Sequence, residues 1–74
     1  GEPQPLPLKE AQLLKLFLER PGLCLARSEI QSVVWSGLKV SSRTVDSHIS
    51  RLRKRLSGAE VSIHSVYGGG YILR

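Results

Sequence analysis

The sequence predicts a mainly α domain closed by a C-terminal β-hairpin, an α+β chain of three helices and two strands. Three observations lead there. Apolar residues recur at helical spacing in three segments before residue 57, and from Val61 the pattern changes to the alternation of a strand. The glycines Gly68, Gly69 and Gly70 then separate two β-prone runs, as a hairpin turn requires. The expected helices are about 8–20, 27–35 and 42–57, and the hairpin is about 61–74. Residues 1–7, with three prolines, are expected to be an extended linker or cloning remnant, and 8–74 the domain itself.

In the first helix Ala11, Leu14 and Leu18, flanked by Leu13 and Phe17, give the apolar face. Pro7 suits its first turn, Glu10 and Arg20 suit the two ends of its dipole, and Pro21-Gly22 stops it. Leu23-Cys24-Leu25 is a short strand or an extended crossing, with Cys24 expected in the core. The second helix turns Ile30, Val33 and Val34 inward, has Glu29 in its first turn and Gly37 as terminator. Trp35 at its end reads as a core plug rather than a stacking platform for a base.

The third helix carries most of the charge. Val45, Ile49, Leu52 and Leu56 form one narrow stripe, surrounded by Arg43, Thr44, Ser47, His48, Ser50, Arg51, Arg53, Lys54 and Arg55. Residues 42–56 hold five basic residues against the single acid Asp46, so four of the chain's five net positive charges reside there. Ser41 or Ser42 is its N-cap and Gly58 ends it. A helix that sits on a core through one stripe and offers Arg and Thr elsewhere is built to meet a polyanion. The link from Ser36 to Ser41 is short, so helices two and three form a helix-turn-helix. With the hairpin after them, the arrangement is a winged helix-turn-helix.

Composition narrows the function. At 74 residues and 41% hydrophobic content there is material for one small core. A pI near 10.0 puts nucleic acid first among partners. A single cysteine permits no internal disulfide, which fits a reducing compartment. No apolar run approaches the ~20 residues of a membrane span, and no signal peptide is visible. The stripe of the third helix lacks the Trp and Phe of an interfacial membrane helix. Neither metal-ligand spacing nor a nucleophile pair is assembled, so an enzyme, a metal or a cofactor is not expected. The glycine run leads into a strand, not a helix, which argues against a phosphate cradle. The alternative to DNA binding is a winged helix used for protein–protein contact, whose mark would be an apolar patch in place of the cationic face.

The run Arg43-Thr44-Val45-Asp46-Ser47-His48-Ile49-Ser50-Arg51-Leu52-Arg53-Lys54-Arg55-Leu56 resembles the recognition helix of OmpR/PhoB-type response-regulator effector domains. Ser65-Val66-Tyr67-Gly68-Gly69-Gly70-Tyr71 resembles their terminal hairpin, and Pro21-Gly22, Arg27-Ser28-Glu29-Ile30 and Val34-Trp35 stand where that family has its helix stop, second helix and tryptophan. The resemblance covers about residues 6–74. It implies sequence-specific binding of double-stranded DNA and transcriptional regulation, with helix three in the major groove and the wing near the minor groove. It also implies a homodimer on tandem half-sites, contact with RNA polymerase, and work in the bacterial cytoplasm on the nucleoid.

By match of position, Arg51, with Ser47 and Ser50, is expected at base edges. Arg43, Thr44, His48, Arg53, Lys54, Arg55 and Tyr67 are expected at the DNA backbone, an uncharged His48 donating one hydrogen bond to phosphate or, as the alternative, bonding the domain's own backbone. Asp46 is expected to cap or to pair with a neighbouring arginine, and Tyr71 to pack beneath the wing. Three departures from the family pattern stand out. Tyr67 replaces an arginine that other members send into the minor groove. The link between helices two and three, associated in the family with RNA polymerase, is short and has Lys39 as its only charge. The small N-terminal sheet of the family is missing or truncated, with room only in Pro5 to Leu8.

Overall fold

The computed structural model describes residues 6–36 and 38–74. Its elements in chain order are α1 (Leu8–Glu19), β1 (Leu25–Ala26), α2 (Arg27–Val34), α3 (Ser42–Arg55), β2 (Ile63–Val66) and β3 (Gly70–Leu73). The expected fold class stands, with one addition: the hairpin recruits a third strand. β3 lies between β1 and β2 in an antiparallel sheet, with Leu25 opposite Tyr71 and Val66 opposite Gly70. Reciprocal bonds between Ser62 and Arg74, at 2.9 and 3.0 Å, continue the hairpin beyond its strands. As central strand, β3 buries all four of its residues.

The three helices close over one face of this sheet. Leu13, Phe17, Ile30, Val45, Ile49, Leu52 and Ile63 make the centre of the core, with Trp35 against them as the expected plug. α1 rests on α3, α2 and β3, so it holds the helix-turn-helix and the wing on one foundation.

Three expectations about the core fail, each for a local reason. Leu18 is 54% exposed, because the stripe of α1 runs through Glu10, Leu13, Leu16 and Phe17 instead. Apolar residues at 13, 14, 16, 17 and 18 surround much of that helix, and packing against α3 decides among them. Val33 is 50% exposed, since Ile30 and Val34 already fill the inward side of α2. Cys24 is exposed as well. Leu25 takes the inward position of this extended segment, and strand alternation turns its neighbour out.

The ends of the elements follow their capping chemistry. Pro7 is the N-cap of α1, immediately before its first turn, and its carbonyl accepts from Ala11 N–H at 2.9 Å. Ser41 caps α3, its Oγ accepting from Thr44 N–H at 3.2 Å. Basic Arg53, Lys54 and Arg55 occupy the last turn of α3, where the dipole favours them. α2 stops one residue short of the expected 35, and Ser36 takes the left-handed conformation, φ 36°. Gly37, expected to terminate that helix, lies outside the described residues, as do residues 1–5, which hold most of the expected linker. Of Pro5 to Leu8, where an N-terminal sheet had room, Leu6 and Pro7 form no strand and Leu8 begins α1.

The wing is pressed close to the rest of the domain. Its turn uses Gly68 and Gly69 at φ 105° and 99°, a region that side chains avoid. A Cβ on Gly70 would lie 2.7 Å from Cys24 Sγ and 2.9 Å from the Leu25 carbonyl oxygen, so β1 and β3 approach as only glycine allows.

Candidate nucleic-acid interface

α3 is anchored by Val45, Ile49 and Leu52, each at most 1% exposed. At ~100° per residue, Arg43, Ser47, Ser50, Arg51 and Lys54 then share one outward arc of roughly 100°. All five are exposed, and none makes a hydrogen bond or ion pair among the described residues. Three cations and two hydroxyls therefore face solvent together on the side of the helix opposite the core. Arg53, also exposed and without a partner among the described residues, stands on the flank towards Asp46.

The two flanks of this arc are tied inward. On one, Arg55 Nε donates to Glu10 Oε1 at 2.7 Å. Glu10 is 2% exposed, and Arg55 is its partner across the α1–α3 contact. Arg55, expected at a phosphate, has its Nε held against the domain by this buried carboxylate, and its side chain is still 38% exposed. Next to it, His48 Nδ1 lies 2.8 Å from the Thr44 carbonyl, and the ring stands edge-on to Trp35 with centroids 5.2 Å apart. A carbonyl only accepts, so Nδ1 carries the proton and the neutral ring presents Nε2 as a lone pair. This is the backbone partner expected as the alternative for His48, and with Nδ1 so engaged an uncharged ring has no N–H left for a phosphate; a second proton is required. Thr44, half-buried beside it, places its hydroxyl 3.2 Å from Ser41 Oγ at the cap.

On the other flank stands Asp46, the one acid of α3. Its Oδ1 accepts from Arg27 Nε at 2.8 Å and from the Tyr71 hydroxyl at 2.6 Å. The partner is thus an arginine of α2, nineteen positions away, and not one of the neighbouring arginines of α3. The Arg27 hydrogen bond, aided by that of Tyr71 and opposed by partial burial, holds the Asp46 carboxyl below the ordinary aspartate range. The Arg27 guanidinium is shifted up in turn, chiefly by its bond to Asp46. Burial first, then the Asp46 carboxylate, pushes the Tyr71 phenol above its usual value. At neutral pH the cluster is an ionised pair with a neutral tyrosine, and the acid that would repel a phosphate is compensated from within.

Tyr71 packs beneath the wing as expected, 6% exposed, with the Arg27 guanidinium 5.6 Å from its ring centre. Tyr67 is fully exposed at the tip of the hairpin. Beside α2 and the link that follows it, an open depression of about 270 Å³ is lined by Ser28, Gln31, Ser32, Leu38 and Lys39. Among the described residues no three His, Cys, Asp or Glu side chains converge on a metal-sized site, and no helix is long and apolar enough to cross a membrane.

Sequence reasoning missed Glu10 and Arg27 as members of the site. Each carried a signal. Glu10 is in register with Leu13 and Phe17 on a leucine-rich helix, an odd place for an unpaired acid. Arg27 begins a helix, where the dipole disfavours a cation, so its charge answers a partner elsewhere.

Comparison with known proteins agrees with this geometry. The family described as "Transcriptional regulatory protein, C terminal" matches residues 1–73. The heme response regulator HssR of Staphylococcus saprophyticus is 45% identical over 69 residues, which is 89% of this chain and 31% of that protein. HssR of Staphylococcus aureus is 42% identical over 69 residues, with the same coverage. The chain thus spans 31% of the length of these curated relatives. Among solved structures, the DNA-binding domain of Escherichia coli CadC superposes with a TM-score of 0.90 at 32% identity, over 100% of this chain and 73% of that one. The DNA-binding domain of Bacillus subtilis CssR gives 0.83 at 32% identity, over 95% and 78%. The DNA-binding domain of the response regulator AdeR, solved in complex with an intercistronic region, gives 0.82 at 31% identity, over 93% and 71%.

Proposed function

The chain belongs to the C-terminal domains of transcriptional regulatory proteins, the OmpR/PhoB type of winged helix-turn-helix DNA-binding domain, and we propose that it reads duplex DNA sequence-specifically as the effector end of a response-regulator-like protein. The family is one of DNA-binding regulatory domains, not of enzymes. The observation that carries the reading is the outward arc of α3: Arg43, Ser47, Ser50, Arg51 and Lys54 are exposed and unengaged, while Asp46 is neutralised from behind.

In this reading α3 enters the major groove. Arg51, at the rim of the arc beside Thr44, donates its fork to a guanine, and Ser47 and Ser50 touch the neighbouring base edges. Arg43, Thr44, Arg53 and Lys54 hold phosphates, with His48 joining them only as imidazolium. Tyr67 brings a hydroxyl and an aromatic ring, without charge, to the sugar–phosphate edge of the adjacent minor groove. Arg55 positions α3 through its Nε bond to Glu10, and the rest of its fork is offered to a phosphate.

The free domain is a monomer, and two copies of the full-length protein occupy half-sites about one helical turn apart. RNA polymerase meets the surface around the α2–α3 link, where the depression beside Lys39 offers polar groups and one cation. The protein works on the nucleoid in the bacterial cytoplasm; bacterial relatives and a thiol left free and exposed are in keeping with this. The test is selection of the domain against randomised duplexes at near-physiological salt. An enriched, repeated short motif supports the reading. Binding that selects nothing and vanishes with salt leaves only a basic surface, and brings forward the winged helix as a protein-contact module.

A further inference from the structure

We infer that Arg27, without touching DNA, sets where the wing meets it, and so governs base preference in the flank beside the major-groove site. The inference rests on the DNA-binding reading above. Its basis is a single guanidinium that joins three parts of the interface. From the first position of α2, Arg27 donates Nε to Asp46 on α3 and Nη1 to the Gly69 carbonyl in the wing turn, at 2.8 and 3.3 Å. Its Cζ lies 5.6 Å from the centre of the Tyr71 ring on β3. Tyr71 closes the circuit by donating to the same Asp46 oxygen, at 2.6 Å.

This junction is the wing's hydrogen-bonded connection to α3 among the described residues. β3 otherwise packs on β1, β2 and α1. The turn held by Arg27 ends two residues after Tyr67, so the placement of Gly69 fixes the reach of the tip. The guanidinium lies directly against the turn: a Cβ on Gly69 would be 2.9 Å from Arg27 Nη1. The Arg27–Asp46 pair is 38% exposed on both sides, which makes it a weak contributor to folding and leaves geometry as its use. Only an arginine serves here. A lysine can keep the ion pair with Asp46, but its compact ammonium lacks the rigid fork that spans Asp46 and Gly69.

The test is competitive selection from randomised duplexes with the wild type, Arg27→Lys, Tyr67→Ala and the double variant, after thermal unfolding has shown each to fold cooperatively. Arg27→Lys is expected to retain the major-groove motif and lose the preference in the flank, with affinity falling by up to about tenfold, the scale of a lost charge-assisted hydrogen bond. Tyr67→Ala should lose the same flank preference. In its background Arg27→Lys should cost nothing further, because the contact it positions is already absent. Arg27→Gln, which removes the charge, should leave the salt slope unchanged; an arginine that itself neutralised a phosphate would lower it by about 0.9 on that substitution. Uniform weakening at every position, an intact flank preference, or additive losses in the double variant would overturn the role of Arg27. A wild type that enriches no motif would instead overturn the DNA reading beneath it.

Discussion

The two ion pairs that bracket α3 resemble each other on paper and differ in the molecule. Glu10–Arg55 joins α3 to α1 with its carboxylate side chain 3% exposed, whereas Arg27–Asp46 joins it to α2 and the wing with both side chains 38% exposed. The first is therefore a constraint on folding: a carboxylate has been taken from water and depends on one cation. The second is screened by solvent, so its effect on stability is modest and its effect on geometry is what remains. Between them they turn inward one charge from each flank of the helix. The outward arc is left purely cationic and hydroxylic.

That contrast can be broken or sharpened by substitution. The largest effect is expected for Arg55→Ala, which strands Glu10 and should cost about 3 kcal/mol in urea unfolding, the lower end for a broken buried pair because Arg55 is partly solvated. The double variant Glu10→Leu/Arg55→Leu should recover most of that loss, since a packed apolar pair often equals a buried ionic one. If Arg55→Ala unfolds at the wild-type midpoint, Glu10 reaches water and the contrast is gone.

At the other pair, Tyr71→Phe removes the 2.6 Å bond to Asp46 and should cost about 1.5 kcal/mol, the low end for a hydrogen bond to a charged group. A cost equal to that of Arg55→Ala would mean the two junctions are energetically alike.

The pH dependence is smaller again. The carboxyl of Asp46 is held low in the folded state, chiefly by the Arg27 hydrogen bond. Its contribution is therefore present above the unfolded aspartate value, about 3.9, and disappears as pH falls through the lower folded value. Asp46→Asn should flatten that acid limb of the stability curve, and an unchanged limb would show that Asp46 is not the group responsible. Smallest of all is the state of His48. Nitrogen-15 chemical shifts of the neutral ring should show the proton on Nδ1, facing the Thr44 carbonyl; a proton on Nε2 would restore the neutral donor to phosphate.

Much of this was legible in the sequence where the information is local. The α3 stripe at 45, 49 and 52 is unambiguous because charged or polar residues separate its members, and all three are buried. The hairpin was legible for a similar reason, since consecutive glycines leave few other structures open. α1 was not, because leucines at adjacent positions let several stripes compete and the choice belongs to α3 and β3. The third strand was seen only as a possibility, being two residues long. The charge pairing of the interface was illegible for want of local signal: the partners are separated by 45 positions in Glu10–Arg55 and 19 in Arg27–Asp46. Composition counts Arg55 among cations available to DNA; only the fold shows what it faces.

The central claim is that Arg51, Ser47 and Ser50 on the outward arc of α3 read bases while Arg43 and Lys54 of the same arc, with the flanking Thr44 and Arg53, hold phosphates. It is tested most directly by comparing Arg51→Ala with Arg43→Ala in affinity for a selected site and for random duplex across a salt series. Arg51→Ala should lose about 1–3 kcal/mol on the selected site and little on random DNA. Arg43→Ala should weaken both alike and reduce the salt slope by about 0.9. Two variants with the same effect on selected and random DNA would contradict the account, leaving α3 a cationic surface without readout.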